Sequence, residues 1–226
     1  MKLGRLRSLS LGVVSLVALS ASIRAEAPAC AATPQDAWTR SREAVASGDA
    51  GKVMLALSPA FRTRNSVEYA VGASMTIGMN GMSGATNKAP GAAAKAEAST
   101  KKLSAELDAI LKKHKAATIQ EIGKPLLARM QEPAVLARFE KIDHAAYARE
   151  MEKFMARVEA AHKEAGGTPQ PAPGLGELVV GGGDMKAALA APKVTGDTAR
   201  AAAGKTTMLF RKVDGCWLVD GREESQ

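Results

Sequence analysis

A chain of 226 residues, 46% of them hydrophobic, is long enough to bury a core of its own and has the length of one domain. Its formal net charge is +8 at pH 7, but the first 25 residues hold four basic residues and no acid, so the remainder carries +4. So small a charge, without a stripe of Lys and Arg interleaved with aromatic residues, argues against nucleic acid or an anionic membrane surface as a partner.

The first 25 residues have the three parts of a secretory signal peptide. Basic residues between Lys2 and Arg7 precede an apolar run from Leu9 to Leu19, and small residues follow. The apolar run has about half of the ~20 residues that a membrane-spanning helix needs, so we expect no stable membrane span. We expect cleavage between Ser22 and Ala27, and a mature chain that starts near Glu26 and is periplasmic or secreted.

Two cysteines, Cys30 and Cys216, are the only ones in the chain. A pair in an oxidising compartment is normally a disulfide, so we predict a bridge between them. The alternative is a lipoprotein with Cys30 lipidated after cleavage at Ala29, but Pro28 and Ala27 do not fit the recognition sequence for that modification. A catalytic thiol is disfavoured because no His or basic cluster is near either cysteine in sequence.

The mature chain is predicted to open with two short helices. Residues Thr33-Pro34-Gln35-Asp36 form a capping box with Pro at the first helical position, which indicates a helix start. Gly48 ends this helix and Asp49 caps the next, which we expect Ser58-Pro59 to stop.

The following segment, residues 67–82, is apolar on nearly every side and rich in Gly and Ala. We expect a buried helix capped by Asn65-Ser66, with Met75 and Met82 among the residues that fill the core or line a small apolar pocket. An alternative role is copper binding. Met75, Met79 and Met82 are spaced to share one helical face, and thioethers are soft ligands that suit Cu(I).

Four later segments carry apolar residues at helical spacing and are predicted to be helices. The first begins at Thr100, and the second runs from Ile119 to Met130 with a break near Lys124-Pro125. The third runs from Pro133 to Lys141, and the fourth follows the cap residue Asp143. In the first of them, Asp108 belongs to the charged side that we expect to face solvent. Residues 83–99 are small and weakly periodic around Pro90-Gly91, so we expect a linker or mobile loop there.

The stretch from Lys205 to Asp220 is predicted to be a tight β-hairpin. Asp214-Gly215 indicates a type I′ turn, because both central residues of that turn take a positive φ. The register that follows pairs Val213 with Cys216, Lys212 with Trp217 and Phe210 with Val219. One face then carries the large apolar side chains of Met208, Phe210, Trp217 and Val219, which need a cover.

The segment from Pro192 to Lys205 is expected to add a third antiparallel strand, with Gly204-Lys205 as its turn into the hairpin. Small residues would then lie opposite larger ones: Ala199 opposite Phe210, Ala201 opposite Met208, and Ala203 opposite Thr206. Upstream, residues 166–176 are rich in Gly and Pro and are predicted to be a linker, and Leu178-Val179-Val180 is predicted to be a strand. Asp184 is expected to cap a short helix or irregular segment.

Three stretches together resemble the nuclear transport factor two-like superfamily, as a divergent exported bacterial member: SREAVASGDAGKVMLALSP (41–59), VTGDTARAAA (194–203) and MLFRKVDGCWLVD (208–220). The resemblance implies a cystatin-like cone of helices packed into the concave face of a bent antiparallel sheet. That superfamily includes ketosteroid isomerase, scytalone dehydratase and polyketide cyclases beside many binding proteins. None of its catalytic residues can be placed on this chain.

The sequence therefore predicts one α+β domain over 26–226, with helices on a small, curved antiparallel C-terminal sheet and a long helical insertion. Residues 33–165 are mainly helical, 166–176 form the linker and 177–222 the strands. No nucleophile, base or metal constellation is visible, and His144 and His162 lie too far apart on one helix to share a metal ion. We expect an exported non-catalytic protein without a cofactor, which binds a small apolar ligand or an envelope protein or has a structural role.

A cone-fold enzyme of the isomerase or dehydratase type is the alternative function. Such an enzyme would need an apolar pocket with one buried carboxyl or His, and we would expect that group beside Tyr69 or Tyr147. No sequence motif would reveal a site of this kind.

Overall fold

The computed structural model describes residues 30–165 and 186–224, and within them the chain is α+β with the helices first and a small antiparallel sheet last. The helices are α1 (Pro34–Ala46), α2 (Ala50–Leu55), α3 (Pro59–Thr86), α4 (Ala92–Lys113), α5 (Ile119–Ile122), α6 (Leu126–Arg129), α7 (Pro133–Phe139) and α8 (His144–Glu164). The strands are β1 (Lys193–Thr195), β2 (Thr198–Ala203), β3 (Thr206–Val213) and β4 (Cys216–Glu224). The predicted signal peptide, the predicted linker at 166–176, the predicted strand at Leu178-Val179-Val180 and the predicted cap residue Asp184 lie outside the described residues.

The predicted helix starts at the N-terminal end are confirmed. Asp36 N donates to Thr33 Oγ1 and Thr33 N donates to Asp36 Oδ2, both at 3.1 Å, which completes the capping box of α1. Asp49 caps α2 and also accepts a hydrogen bond from Arg149 Nε of α8 at 2.8 Å. That guanidinium holds the pKa of Asp49 below its usual value. One side chain thus caps α2 and ties it to α8.

Helix α3 is much longer than predicted, and its start was wrong. Ser58 caps it and Pro59 is its first residue, so the pair begins a 28-residue helix that contains Asn65 and Ser66. Both side chains form a contact without ending the helix: Asn65 Nδ2 donates to Phe61 O at 2.8 Å, and Ser66 Oγ lies 2.8 Å from His144 Nδ1 of α8. A residue type that favours helix caps can therefore lie inside a helix when its side chain finds a partner there.

The predicted linker at 83–99 is also wrong. The break between α3 and α4 covers only residues 87–91, where Gly91 takes a φ of 77°. The run AAAKAEAS after it is helical, since Ala has the highest helix propensity even where the apolar periodicity is weak.

Two faces of α3 are covered by other helices. A Cβ built on Gly84 would lie 1.9 Å from Ala96 Cβ of α4, so the two helices approach as closely as a glycine allows. On the α8 side, the Asn80 and Asn87 side-chain amides donate to Val158 O and Ala165 O at 3.4 and 3.1 Å.

The third face of α3 points outward, and here the expectation of buried methionines is wrong. Met75, Met79 and Met82 are 46, 42 and 72% exposed, whereas Ile77 on the covered side is buried.

The later helices largely follow the sequence prediction. The chain breaks between α5 and α6 at Gly123 and the cis Lys124–Pro125 peptide, and α7 ends at Phe139, two residues before the predicted end. Asp143 caps α8, whose buried stripe includes Tyr147, Met151, Phe154 and Val158.

The sheet has the strand order β1-β2-β3-β4, and the predicted registers are confirmed. The pairs are Val213 with Cys216, Lys212 with Trp217, and Phe210 with Val219. In β2, Ala199, Ala201 and Ala203 pair with Phe210, Met208 and Thr206. The segment predicted as one strand from Pro192 is itself a hairpin, since it turns at residues 196–197 between β1 and β2. A bulge at Asp220 separates the Phe210–Val219 pair from the Leu209–Gly221 pair.

The outer edge of β4 is covered by two other segments of the chain. Trp217 N donates to Ala31 O at 2.9 Å, Val219 N donates to Ala56 O at 3.1 Å, and Ser58 N donates to Val219 O at 2.7 Å. The Cα atoms of Cys30 and Cys216 lie 4.9 Å apart, and their sulfur atoms are at disulfide-bonding distance, as predicted. The chain next to Cys30 is therefore fixed on the sheet.

Candidate functional site

A buried polar cluster joins α3 to α8 and is the first place to look for chemistry, because it contains Tyr147 and a buried histidine. Tyr147 OH donates to Ser66 O at 3.2 Å, and Ser66 Oγ is 2.8 Å from His144 Nδ1. Burial lowers the pKa of His144 to about 4, and the nearby Arg62 charge acts in the same direction. His144 is therefore neutral at pH 7.

This cluster is buried, as is typical of a hydrogen-bond network with a structural role. Ser66 and Tyr147 have no exposed surface, and burial raises the pKa of both Tyr69 and Tyr147, so neither phenol ionises near neutral pH. Three clefts among the described residues are lined by other side chains. The cluster holds α3 against α8 in the core.

A cleft of about 430 Å³ lies where α5 and the start of α6 approach α3 and α4. Its apolar walls include Leu107 of α4, Ile119 of α5 and Leu126 of α6. The broken connection between α5 and α6 shapes this cleft, because Gly123 and Lys124 form part of its lining. A volume of this order falls within the range of about 300–1,000 Å³ that small-molecule sites occupy.

The polar groups of this cleft are few. Ser74 of α3 and Ser104 of α4 contribute hydroxyl groups, and Gln120 and the exposed Lys124 contribute an amide and an ammonium. Asp108 completes the set one helical turn after Ser104. Apolar walls with a small number of polar groups are typical of sites that bind organic ligands.

Asp108 is the unusual member of the lining. Its Oδ1 atom is buried and has no hydrogen-bond partner in the described part of the chain. Leaving a buried acceptor unpaired costs about 1–3 kcal/mol, so buried polar atoms are nearly always paired. Asp108 also lines the cleft, so a ligand N–H or O–H group there would pair with its carboxylate.

The sequence places Asp108 on the solvated side of its helix, whereas in the structure it is half-buried and lines this cleft. Leu107 and Asp108 are neighbours on α4, and only the fold brings Ile119 and Leu126 over them. The signal that could have found the cleft is the Gly123-Lys124-Pro125 break, which turns α6 away from α5.

The other residues named from the sequence do not form one common site. Cys30 and Cys216 come together at the start of β4, whereas His144 and His162 sit at the two ends of α8. Across the two described ranges, no group of three His, Cys, Asp or Glu side chains could hold a metal ion. Met75, Met79 and Met82 share the outer face of α3.

The comparisons with family models, curated proteins and solved structures gave no match. Among the helices of the described ranges, none is long and apolar enough to cross a membrane.

Proposed function

We propose that this is an exported, non-catalytic protein that binds a small, largely apolar molecule carrying an amine or similar N–H group. The single observation that carries the proposal is the carboxylate of Asp108, which lines a cleft with apolar walls and whose Oδ1 atom has no partner among the described residues.

The apolar residues that line the cleft suit the apolar part of such a ligand. An alkyl chain or small ring beside Leu107, Ile119 and Leu126 would remove apolar surface from water, worth about 25 cal/mol for each Å². An ammonium group on Asp108 would form a charge-assisted hydrogen bond, which is about twice as strong as a neutral one. Hydrophobic burial gives affinity, and Asp108 gives selectivity for amines.

Binding is favoured over catalysis by the composition of the cleft. Its described lining residues include no His, Cys or Tyr that could activate the hydroxyl of Ser74 or Ser104. The buried pair of Ser66 and His144, which has the residue types of a nucleophile and a base, is packed inside the core instead.

Export is supported by the apolar N-terminal run of the sequence and by the two cysteines at disulfide distance, which suit an oxidising compartment. We also retain the nuclear transport factor two-like resemblance as a proposal. It is supported by the packing of α1 against β4 and by the Gly48-Asp49 turn between α1 and α2.

A series of n-alkylamines from butylamine to octylamine tests the proposal by calorimetric titration and by the shift in melting temperature. We expect affinity to rise with chain length, and n-alkanols of the same length to bind at least ten-fold more weakly. The isosteric variant Asp108→Asn should lose about ten-fold to a hundred-fold in amine affinity, since hydrogen bonds to charged groups contribute about 1.5–3 kcal/mol.

The matched control is Asp197→Asn, which makes the same change in an exposed turn between β1 and β2 and should leave binding unchanged. Ser104→Phe should weaken amines and alkanols alike by filling the cleft. Equal affinity of amines for the wild type and Asp108→Asn would overturn the proposal, as would binding that Ser104→Phe does not reduce.

A further inference from the structure

The outer face of α3 has a composition that is unusual for a surface helix. Methionine is among the residues most often found inside proteins, yet Met75, Met79 and Met82 are all substantially exposed. Gly72 and Gly78 flank them, and a Cβ on either glycine would meet nothing within 4 Å. The three methionine side chains are therefore accessible to solvent, with free space beside them on the helix surface.

The spacing brings the three sulfur atoms within reach of one another. In a helix with a rise of 1.5 Å per residue, Met79 lies about 6 Å along the axis from Met75 and about 4.5 Å from Met82. Side chains three and four residues apart are neighbours on the helix surface, so Met79 is the shared neighbour of the other two. Unbranched methionine side chains are flexible enough to converge on one ion.

The chemistry around these sulfur atoms favours a soft cation. Between Glu68 and Lys88 the helix and its cap hold no charged residue and no histidine, so this stretch offers no carboxylate for Ca²⁺ or Mg²⁺. The thiols that would compete for a soft metal are absent from the described residues, because Cys30 and Cys216 are paired at disulfide distance. Thioethers also tolerate an oxidising compartment in which free thiols form disulfides.

We infer that Met75, Met79 and Met82 form a Cu(I) site on the outer face of α3. Soft thioether ligands select Cu(I) over the harder divalent metals. The ligands are neutral and carry no proton, so binding should release no proton and should not weaken between pH 7 and pH 5, unlike a site built from Cys or His. The site is separate from the Asp108 cleft, and either assignment can fail without the other.

Anaerobic titration of the exported protein with Cu(I), in competition with the chromophoric chelator bicinchoninate, tests this assignment. We expect one Cu(I) per chain, with the same affinity at pH 5 and pH 7. Met79→Leu should weaken binding at least ten-fold, and the triple variant with Leu at 75, 79 and 82 should not compete with the chelator. Leucine is apolar, similar in size and a strong helix former, so these variants should stay folded.

The control is Met130→Leu, the same substitution at a half-buried methionine after α6, which should bind Cu(I) as the wild type does. X-ray absorption at the copper edge should show sulfur ligands. Three results would overturn the site: no wild-type binding against the chelator, undiminished binding by the triple variant, or a spectrum with nitrogen and oxygen ligands alone.

Discussion

His144 couples the fold to pH through a single buried side chain. It lies at the start of α8, where its Nδ1 atom is 2.8 Å from Ser66 Oγ, and burial lowers its pKa from 6.5 to about 4. Above about pH 6.5 the ring is neutral in both the folded and the unfolded chain. Below that, the unfolded chain takes up a proton that the folded chain excludes until about pH 4, so protonation favours unfolding in this window.

We predict that the free energy of unfolding falls as the pH is lowered from 6.5 towards 4, with at most about 1.4 kcal/mol lost per pH unit through His144. Urea unfolding between pH 7 and pH 4.5 measures this slope. His144→Asn should be less stable at pH 7 but should show a flatter profile, because its side chain does not titrate. Ser66→Ala removes the hydrogen bond and keeps the histidine, so it should retain the slope. Parallel profiles for the wild type and His144→Asn would contradict this explanation.

At the scale of elements, the contact between α3 and α4 depends on one glycine. Gly84 lies where the helices are closest, with Ala96 Cβ only 1.9 Å from the place where a Cβ would sit. Gly78, on the same helix, has open space at the equivalent position. The two glycines therefore offer the same substitution with opposite expected effects.

We predict that Gly84→Ala lowers the free energy of unfolding by about 1–3 kcal/mol, because overpacking forces the helices apart. Gly78→Ala should raise it by up to about 1 kcal/mol, since Ala has a higher helix propensity than Gly. Urea unfolding of both variants measures the difference. Adding Ala96→Gly to Gly84→Ala should recover part of the loss by removing the opposing methyl group. If Gly84→Ala were as stable as Gly78→Ala, the close approach of the helices would be wrong.

The helix pair also shows what the sequence could and could not predict. Local signals were sufficient at Thr33, Asp49 and Asp143, because a capping side chain acts within its own turn. Local signals gave a wrong prediction at Ser66, which was expected to cap a helix but lies inside one. Its partner His144 is 78 residues away in the chain.

The candidate sites depended on tertiary packing in the same way. The shared face of the three methionines follows from their spacing, but their exposure depends on which sides of α3 are covered by α4 and α8. Asp108 looked like any charged surface residue, because the segment that covers it begins only at Ile119. The hairpin register was predictable because Asp214-Gly215 fixes it locally.

For the whole molecule, the N-terminal segment completes the sheet. The outer edge of β4 would otherwise present unpaired backbone groups, which invite pairing with other chains. Ala31 and the stretch from Ala56 to Ser58 occupy that edge through backbone hydrogen bonds. The cysteine pair lies beside the Ala31 contact and joins positions separated by 186 residues.

We predict that a disulfide between Cys30 and Cys216 closes this loop and stabilises the fold by about 2–4 kcal/mol, mainly by restricting the unfolded chain. Replacing both cysteines with Ser should lower the free energy of unfolding by that amount while β4 keeps its hydrogen bonds to Ala56 and Ser58. The bond itself is tested by expressing the full-length chain, alkylating the purified protein in denaturant and measuring its intact mass. Without reductant we expect no alkyl group and a chain that starts near Glu26, and after reduction two alkyl groups. Two reactive thiols before reduction, or a lipid on Cys30, would contradict the bridge. The chain next to Cys30 would then be held on β4 only by the hydrogen bond between Trp217 N and Ala31 O.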